Sequence, residues 1–262
     1  MIQSTLDVIK YGFNSRRAWW FTATSRSRAR FTRTVIGSYW LGIANLIFCI
    51  LLGSVYGVVF KVPNPKEYFI YLGLGFSIWS SISGSLNSSP TIFSINSENI
   101  SNLKINPVFY VLEEWAFQIQ TFCQSFIIII LFLVFLSPVV VVNLFVFTPI
   151  HILNLFLLLL WLPLLICLSA SRFQDIYQLI PIFTQLLFLL SPIFYYERDL
   201  GYLSKITDYN ILYKILGLLR DSIMKGEFNF KESMIILFAN FLMIIFSFSL
   251  FNKLKKNLIF YL

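Results

Sequence analysis

The segment from Trp115 to Ser171 contains no Asp, Glu, Lys or Arg. A membrane-spanning helix needs only about 20 apolar residues, so this run is too long for one helix and too apolar for a soluble domain. The whole chain is 58% hydrophobic and 12% charged, whereas charged residues make up about a quarter of soluble domains. We therefore expect an all-α integral membrane protein whose membrane domain occupies residues 35–262.

Six segments are long and apolar enough to cross a bilayer. Ser137, Pro138 and Asn143 divide the charge-free run into a third and a fourth span. The expected transmembrane helices cover residues 35–60, 68–87, 108–136, 144–170, 176–195 and 233–252. Six spans place both termini on the same side of the membrane.

The distribution of charge gives the orientation. Basic residues lie at the ends of apolar runs, which indicates a membrane rather than a nucleic-acid partner. With the N-terminus inside, the inner segments hold twelve of the twenty Lys and Arg residues and the outer loops hold eight. Inner loops of membrane proteins carry an excess of Lys and Arg, so we expect both termini in the cytoplasm.

The first 34 residues form a basic and aromatic cytoplasmic segment. Six arginines lie between Arg16 and Arg33, interleaved with tryptophan and phenylalanine. We expect an amphipathic helix along the inner membrane interface; the alternative is a basic tail that only sets the orientation. Guanidinium groups suit bidentate contacts with carboxylates, which favours docking to a partner protein through Arg16, Arg17, Arg30 and Arg33.

Two further segments outside the spans are irregular. Residues 88–106 lie inside and are polar, so they form either an ordinary loop or a short interfacial helix that docks through Glu98, Asn99 and Lys104. Residues 197–231 lie outside and place apolar residues at helical spacing before Gly226, a suitable helix end. This outer helix is either a lid or an element resting on the membrane surface.

The sequence contains no recognisable arrangement of catalytic residues. His151 is the one histidine, and the three cysteines lie within apolar runs without the spacing of metal ligands. No GxxxxGK[ST] phosphate loop is present, so this chain cannot bind ATP through a loop of that kind. No ionisable residue lies at mid-span, which disfavours an ion-coupled carrier. We expect no enzymatic activity, no cofactor and no metal in this chain.

Aromatic residues are abundant, at 18% of the chain. Tyrosine and tryptophan can pack against the faces of sugar rings while their polar tips bond hydroxyl groups. Belts of interfacial aromatic residues explain many of the same side chains. The candidates within or next to the spans are Trp40, Tyr56, Tyr71, Trp79, Tyr177, Tyr195 and Tyr196.

Several motifs, in order along nearly the whole chain, resemble those of ABC-2-type polysaccharide export permeases. Residues 30–40 are similar to their R-[YF]-x-R-[ST]-x-[LI]-G-x-x-W junction, and residues 68–79 to their second span. Arg172–Ile176, Gln185 and Ser191–Tyr195 resemble their R-F-x-D-I, Q and [ST]-P-I-[FW]-[YW] block. The similarity is strongest to O-antigen and teichoic-acid exporters, with capsule exporters near. Ser38 and Ile211 depart from the pattern, since proline is frequent at both positions.

The resemblance implies a half-transporter in a bacterial cytoplasmic membrane. Two copies would pair with two ATP-binding subunits, docked by the N-terminal segment and residues 88–106, and a lipid-linked glycan would pass between the copies. Arg172 and Asp175 would pair at the inner turn between spans four and five. Short external gate helices, with Asn210 and Arg220, would follow span five. The glycan path would be lined by Trp40, Tyr56, Tyr71, Trp79, Phe194, Tyr195 and Tyr196.

The function that we expect is the membrane subunit of an ATP-driven exporter of lipid-linked polysaccharide. An ABC-2 efflux permease for drugs or small lipids is the alternative, and a channel lined by aliphatic residues would favour it. A membrane enzyme acting on lipid-linked sugar would need a metal or base site in a loop. The inner loops offer only Glu98 and Asp175 as carboxylates for such a site.

Overall fold

The computed structural model describes residues 2–102, 105–196, 201, 207, 210–255 and 258. All regular structure in these ranges is helical, without a strand. The helices of the described ranges are α1 (Ile2–Asn14), α2 (Arg16–Arg30), α3 (Trp40–Val59), α4 (Pro65–Ser88), α5 (Ile92–Ile95), α6 (Ser97–Asn102), α7 (Val108–Leu136), α8 (Val139–Phe147), α9 (Pro149–Ala170), α10 (Ile176–Leu190), α11 (Ile211–Lys225) and α12 (Phe230–Leu254).

Five helical segments of the described chain are long and apolar enough to cross a membrane. They contain α3, α4, α7, α9 and α12, and α7 has the bounds expected for the third span. Helix α10 is apolar but has only 15 residues. The fifth span was expected to reach Tyr195, but the helix stops at Leu190 because Ser191 is extended (φ −94°, ψ 127°). Pro192 follows, and its ring disfavours a helical residue before it.

The chain between the third and fourth spans also differs from the expectation. We expected a break at Asn143, but Asn143 lies inside α8, and its Nδ2 donates to the Ile223 carbonyl at 2.8 Å. The break falls instead at Thr148, directly before Pro149. An asparagine whose amide finds a partner on another helix need not interrupt its own helix. Helix α8 thereby packs against α11.

The N-terminal segment forms two helices, where one was expected. They meet at Ser15, and the Trp19 indole donates to the Gly12 carbonyl at 2.8 Å across the junction. Trp19 also packs against Trp115 of α7, with the ring centroids 5.9 Å apart. The two helices are therefore attached to the membrane helices near the beginning of α7.

Helix α4 is central and α3 is peripheral. In the most apolar 18-residue stretch of each spanning segment, 72% of the residues are buried in the segment that contains α4, against 17% in the segment that contains α3. Helices α9 and α12 are joined by a buried polar chain in which Trp161 donates to Asn240 at 2.9 Å and Asn240 donates to Asn154 at 3.1 Å. Hydrogen bonds of this kind help membrane helices to associate, because lipid tails are as apolar as the helices and the hydrophobic effect supplies little driving force between them.

Candidate translocation path and docking surface

A cavity of about 360 Å³ lies between α3, α4 and α10, and we call it the aromatic groove. Trp79 and Phe188 stack within it, with ring centroids 5.7 Å apart and an interplanar angle of 27°. Its lining combines aromatic rings with uncharged polar side chains: Phe48, Phe76, Trp79, Ser80, Ser83, Asn87, Pro181, Thr184, Gln185 and Phe188.

The polar side chains of the groove follow from helical spacing. Ser80, Ser83 and Asn87 occupy positions i, i+3 and i+7 on one face of α4. Thr184 and Gln185 face them from α10, and the Thr184 hydroxyl donates to Asn87 Oδ1 at 3.2 Å. No charged residue lines the groove. Hydroxyl and amide groups beside ring faces can exchange hydrogen bonds with sugar hydroxyls without holding them as tightly as charges would.

Sequence reasoning found the groove only in part. It named Trp79 as a path residue and quoted Gln185 as a motif residue, but it missed Ser80, Ser83, Asn87 and Thr184. The signal that could have found the three on α4 is their recurrence on one helical face within an apolar segment. Which helix that face meets is a long-range contact that local spacing does not contain.

The six other predicted path aromatics divide into three groups: Phe194 with Tyr56, Trp40 alone, and a cluster of Tyr71, Tyr195 and Tyr196. Phe194 packs edge-to-face on Phe188, with centroids 4.7 Å apart, and stacks on Tyr56 at 5.7 Å. These rings therefore continue from the groove. Trp40 is exposed at the start of α3 and does not line the groove.

Tyr71, Tyr195 and Tyr196 cluster around the segment that follows α10. Tyr71 is buried, and its hydroxyl lies 2.8 Å from the Pro192 carbonyl and 3.0 Å from the Tyr195 carbonyl. The Tyr195 hydroxyl donates to the Leu189 carbonyl, and the Tyr196 ring lies 4.7 Å from the Tyr71 ring. Tyr71 therefore holds this segment in place, which leaves its hydroxyl engaged by the protein.

Arg220 fixes α11 against the same segment. It is 3% exposed, donates through Nη1 to the Pro192 carbonyl at 2.7 Å, and lies 3.8 Å above the Tyr71 ring. Burial alone would lower the pKa of its guanidinium, but Tyr71, Tyr213 and Asp221 more than offset this and raise that pKa above its ordinary value. The side chain is therefore a buried cation.

Asn210 caps the beginning of α11. Its side-chain oxygen accepts from the backbone N–H groups of Leu212 and Tyr213, both at 3.1 Å, and its Nδ2 donates to the Ser191 hydroxyl at 3.1 Å. Asparagine is among the preferred residues at this position because it satisfies free N–H groups of the first turn. The two predicted gate residues, Asn210 and Arg220, thus both attach α11 to the segment after α10.

A polar cavity of about 450 Å³ lies beside Arg220. We call it the outer cleft, after the side of the membrane on which the expected topology would place it. The residues before α4, the start of α4, one side of α11 and Tyr196 form its walls. It is lined by Val62, Pro63, Asn64, Glu67, Tyr71, Tyr196, Tyr213, Arg220, Asp221, Met224 and Lys225.

The predicted docking residues are on the surface. Arg16, Arg17 and Arg30 on α2 are exposed, and so is Arg33 after it. Glu98 and Asn99 are exposed on the short helix α6, while Lys104 lies outside the described residues. The side chains of the described six are accessible to a partner.

Arg26 was not singled out from the sequence, yet it joins α2 to the membrane domain. It forms ion pairs with Glu114, which is 6% exposed, and with Glu113 at 3.7 Å, and its guanidinium lies 3.9 Å over the Phe117 ring. Glu114 also accepts at 2.7 Å from both the Ser88 hydroxyl and the Gln118 amide. One buried carboxylate therefore links α2, α7 and the end of α4.

The expected pairing of Arg172 with Asp175 is wrong. Both side chains are exposed, no ion pair forms between them, and the Arg172 guanidinium lies 5.4 Å from the Phe173 ring centroid. Two exposed charges gain little from pairing because water screens them. Asp175 instead occupies the residue before the first turn of α10.

No metal or acid–base centre is evident in the described part of the chain. It holds no group of three His, Cys, Asp or Glu residues placed to bind a metal ion. His151 is buried and packs on Phe228, with ring centroids 5.4 Å apart.

The sequence profile of a family described as ABC-2 type transporter matches residues 20–224. The match runs from the middle of α2 to the end of α11, and it includes the aromatic groove and Arg26. No curated protein sequence matches the chain.

Proposed function

The chain belongs to the ABC-2 type transporter family, and from that premise we propose that it is the permease subunit of an ATP-driven exporter of lipid-linked polysaccharide. As a member of that family it is a multi-pass membrane protein and a transport subunit. Permeases of this family generally pair with an ATP-binding subunit. The proposal adds the substrate, two copies of each subunit, a bacterial cytoplasmic membrane and cytoplasmic termini.

The aromatic groove is the observation that carries the choice of substrate. Ser80, Ser83, Asn87, Thr184 and Gln185 bring hydroxyl and amide groups beside the stacked rings of Trp79 and Phe188. The hydroxyls of Ser80, Ser83 and Thr184 already donate within the protein, but hydroxyl oxygens and side-chain amides can each form more than one hydrogen bond. A sliding chain of sugar hydroxyls can use that remaining capacity at every position, whereas an apolar drug can use little of it.

The cytoplasmic side supports the coupling to ATP hydrolysis. Exposed Arg16, Arg17, Arg30 and Arg33 would hold carboxylates of the ATP-binding partner, and the segment with Glu98 and Asn99 would sit in a groove on it. Ser88, at the end of α4, leads directly into that segment and donates to Glu114. Closure of the partner dimer would thus move α4 and α7 through the Arg26–Glu114 contact.

An efflux permease for drugs or small lipids is the second candidate, and one cavity would accommodate its substrates. A cavity of about 470 Å³ between α9, α10 and the start of α11 is almost entirely apolar, with Leu162, Ile166, Phe183 and Leu187 in its walls. Such a cavity suits an apolar ligand. It suits the lipid anchor of a glycan equally well.

Substitutions in the groove separate the two candidates. Ser83→Leu and Asn87→Leu remove polar groups from the groove, and Ser54→Leu makes the same kind of change at an exposed position on α3. In a strain that depends on this permease, the groove variants should lower surface polysaccharide and accumulate lipid-linked glycan inside, whereas Ser54→Leu should do neither. Normal surface polysaccharide with both groove variants, together with loss of hydrophobic-dye extrusion when Leu162→Trp fills the apolar cavity, would favour efflux.

A further inference from the structure

The outer cleft has a different chemistry from the aromatic groove. Its walls carry two acidic groups, Glu67 and Asp221, and two basic groups, Arg220 and Lys225. Hydrogen bonds to ionised groups are roughly twice as strong as those between neutral groups. A polar ligand would therefore be held in this cleft more tightly than in the uncharged groove.

The charges of the cleft balance one another. Lys225 Nζ lies 2.9 Å from Asp221 Oδ2, and Arg220 Nε lies 3.5 Å from Asp221 Oδ1. With equal numbers of acidic and basic groups, the cleft has no net charge to attract an ionic ligand. Its hydrogen-bonding groups are instead planar carboxylate and amide groups, which suit pairs of neighbouring hydroxyls.

Arg220 is held within the wall of this cavity. Its Nη1 donates to Pro192 and its Nη2 to the Tyr213 hydroxyl at 3.3 Å, while its Nε pairs with Asp221 Oδ1 at 3.5 Å. The guanidinium is therefore occupied by the protein and fixes the shape of the cavity. The groups that remain for a ligand are the carboxylates of Glu67 and Asp221, since each carboxylate has about four acceptor positions.

Tyrosine rings supply the remaining part of the site. Tyr196 lies 4.7 Å from Tyr71 and 6.1 Å from Tyr68, measured between ring centroids. Such side chains offer an apolar face beside a hydroxyl. Aromatic faces next to planar hydrogen-bonding groups match a sugar ring, which has apolar C–H faces and hydroxyls around its edge.

We propose that the outer cleft binds a neutral saccharide unit of the exported glycan at the outer end of its path. This inference rests on the proposed function. The cavity of about 450 Å³ is within the range of about 300–1,000 Å³ typical of small-molecule sites. A unit held there cannot slide back into the groove while the permease resets.

The test measures sugar binding to the full-length protein in phosphatidylglycerol nanodiscs. The probes are methyl glucoside and N-acetylglucosamine, observed by saturation-transfer difference NMR. We expect ring-proton signals from at least one probe with the unchanged protein. The double variant Glu67→Gln with Asp221→Asn should bind about tenfold more weakly, because each change replaces a charged acceptor with a neutral one.

Matched variants control for changes outside the cleft. Tyr196→Leu should also weaken binding, whereas Tyr39→Leu and Glu227→Gln, at exposed positions that do not line the cleft, should leave it unchanged. All variants must elute as the unchanged protein does in size-exclusion chromatography. No signal with either probe, equal signals from all variants, or displacement of the sugar by phosphoethanolamine at a lower concentration than by the sugar itself would overturn the proposal.

The outcomes separate this inference from the proposed function. One outcome is sugar binding that depends on Glu67, Asp221 and Tyr196 while deletion of the gene leaves surface polysaccharide unchanged. That result would support saccharide binding in the outer cleft and contradict the export function. Loss of surface polysaccharide on deletion, without such binding in nanodiscs, would support export and overturn the cleft.

Discussion

Arg26 and Arg30 lie one turn apart on α2, and their surroundings differ completely. Arg26 meets Glu113, Glu114 and the ring of Phe117, whereas Arg30 is exposed beside Phe31. From the sequence alone the six arginines of this region are equivalent cations. The structure divides them into one that ties α2 to α7 and others that face outward.

Replacing Arg26 should destabilise the protein because the buried carboxylate of Glu114 would then lack its cationic partner. In Arg26→Ala, Glu114 keeps the Ser88 and Gln118 bonds but loses its cationic partner while it stays buried. We expect a loss of about 1–3 kcal/mol, the usual cost of an unsatisfied buried polar group. Thermal unfolding in detergent, followed by tryptophan fluorescence, measures it.

The double variant Arg26→Ala with Glu114→Gln is the control. Glu114→Gln replaces the carboxylate with an uncharged amide that needs no cationic partner. The double variant should therefore recover most of the stability that Arg26→Ala loses. If the double variant is no more stable than the single one, the ion pair is not the cause of the loss.

Reversing the charge of Arg30 and Arg33 should uncouple transport from ATP hydrolysis. Both side chains are exposed, so Arg30→Glu with Arg33→Glu should leave folding intact but repel carboxylates of the ATP-binding partner. Surface polysaccharide should fall while the partner continues to hydrolyse ATP. Lys66→Glu, an exposed change before the second span, should have no effect; normal export with the double variant would show that docking does not use these arginines.

Local patterns predicted individual residues well where a residue acts within its own segment. Gly226 was expected to end the outer helix, and it does so with φ +68°. Asn210, which the resemblance implied at an external gate, caps the beginning of α11, and its role in a gate stays a prediction. Arg26 and Glu114 are 88 positions apart, and no local spacing connects them. The expected Arg172–Asp175 pair failed for the opposite reason, because closeness along the chain does not hold two solvated charges together.

At the scale of elements, α3 touches the rest of the protein along a narrow line of small residues. Its buried positions are Gly42, Cys49 and Gly53. A Cβ atom at Gly53 would lie 2.4 Å from the Phe69 ring, and one at Gly42 would lie 3.1 Å from the Ser125 backbone. Small residues let membrane helices approach closely, so this line sets the distance of α3 from α4 and α7.

Adding side chains along this line should push α3 away. Gly42→Val places its Cβ within 2.7 Å of the Ile128 side chain, and such overpacking costs about 1–3 kcal/mol. We expect lower thermal stability and loss of export. Gly57→Val is the matched control, since its Cβ would meet only Tyr68 at 3.9 Å; equal effects of the two changes would mean that helix propensity, rather than packing, is responsible.

The sequence predicted the long helices because their apolar length is a local property. The differences arise where a partner or a proline decides the end of a helix. Asn143 remains helical because Ile223 accepts from its amide, and α10 stops before Pro192. The spacing of polar residues on α4 predicts that this face meets a polar partner. It does not predict that the partner is α10, because neither segment's sequence determines which helices pack together.

At the scale of the whole molecule, α10 is too short to cross the membrane alone. Its 15 residues span about 22 Å at 1.5 Å per residue, less than the hydrocarbon thickness of about 30 Å. The segment after it, held by Tyr71 and Arg220, would have to complete the crossing. The expected six-span topology depends on this combination.

Labelling of single cysteines tests that topology. In a Cys123→Ala background, the two remaining cysteines, Cys49 and Cys167, are buried. An impermeant maleimide added to intact cells should label Lys66→Cys and Lys225→Cys at once, but Thr32→Cys and Arg172→Cys only after permeabilisation. Lys225→Cys that stays unlabelled in intact cells would show that α10 does not carry the chain across.

Deletion of the gene tests the central claim of ATP-driven polysaccharide export most directly. Surface polysaccharide and intracellular lipid-linked glycan are measured together, in a strain without a second exporter. We expect surface polysaccharide to disappear and lipid-linked glycan to accumulate inside, with both restored by the unchanged gene. Unchanged surface polysaccharide without intracellular accumulation would contradict the export of polysaccharide and leave the efflux of apolar compounds as the function to pursue.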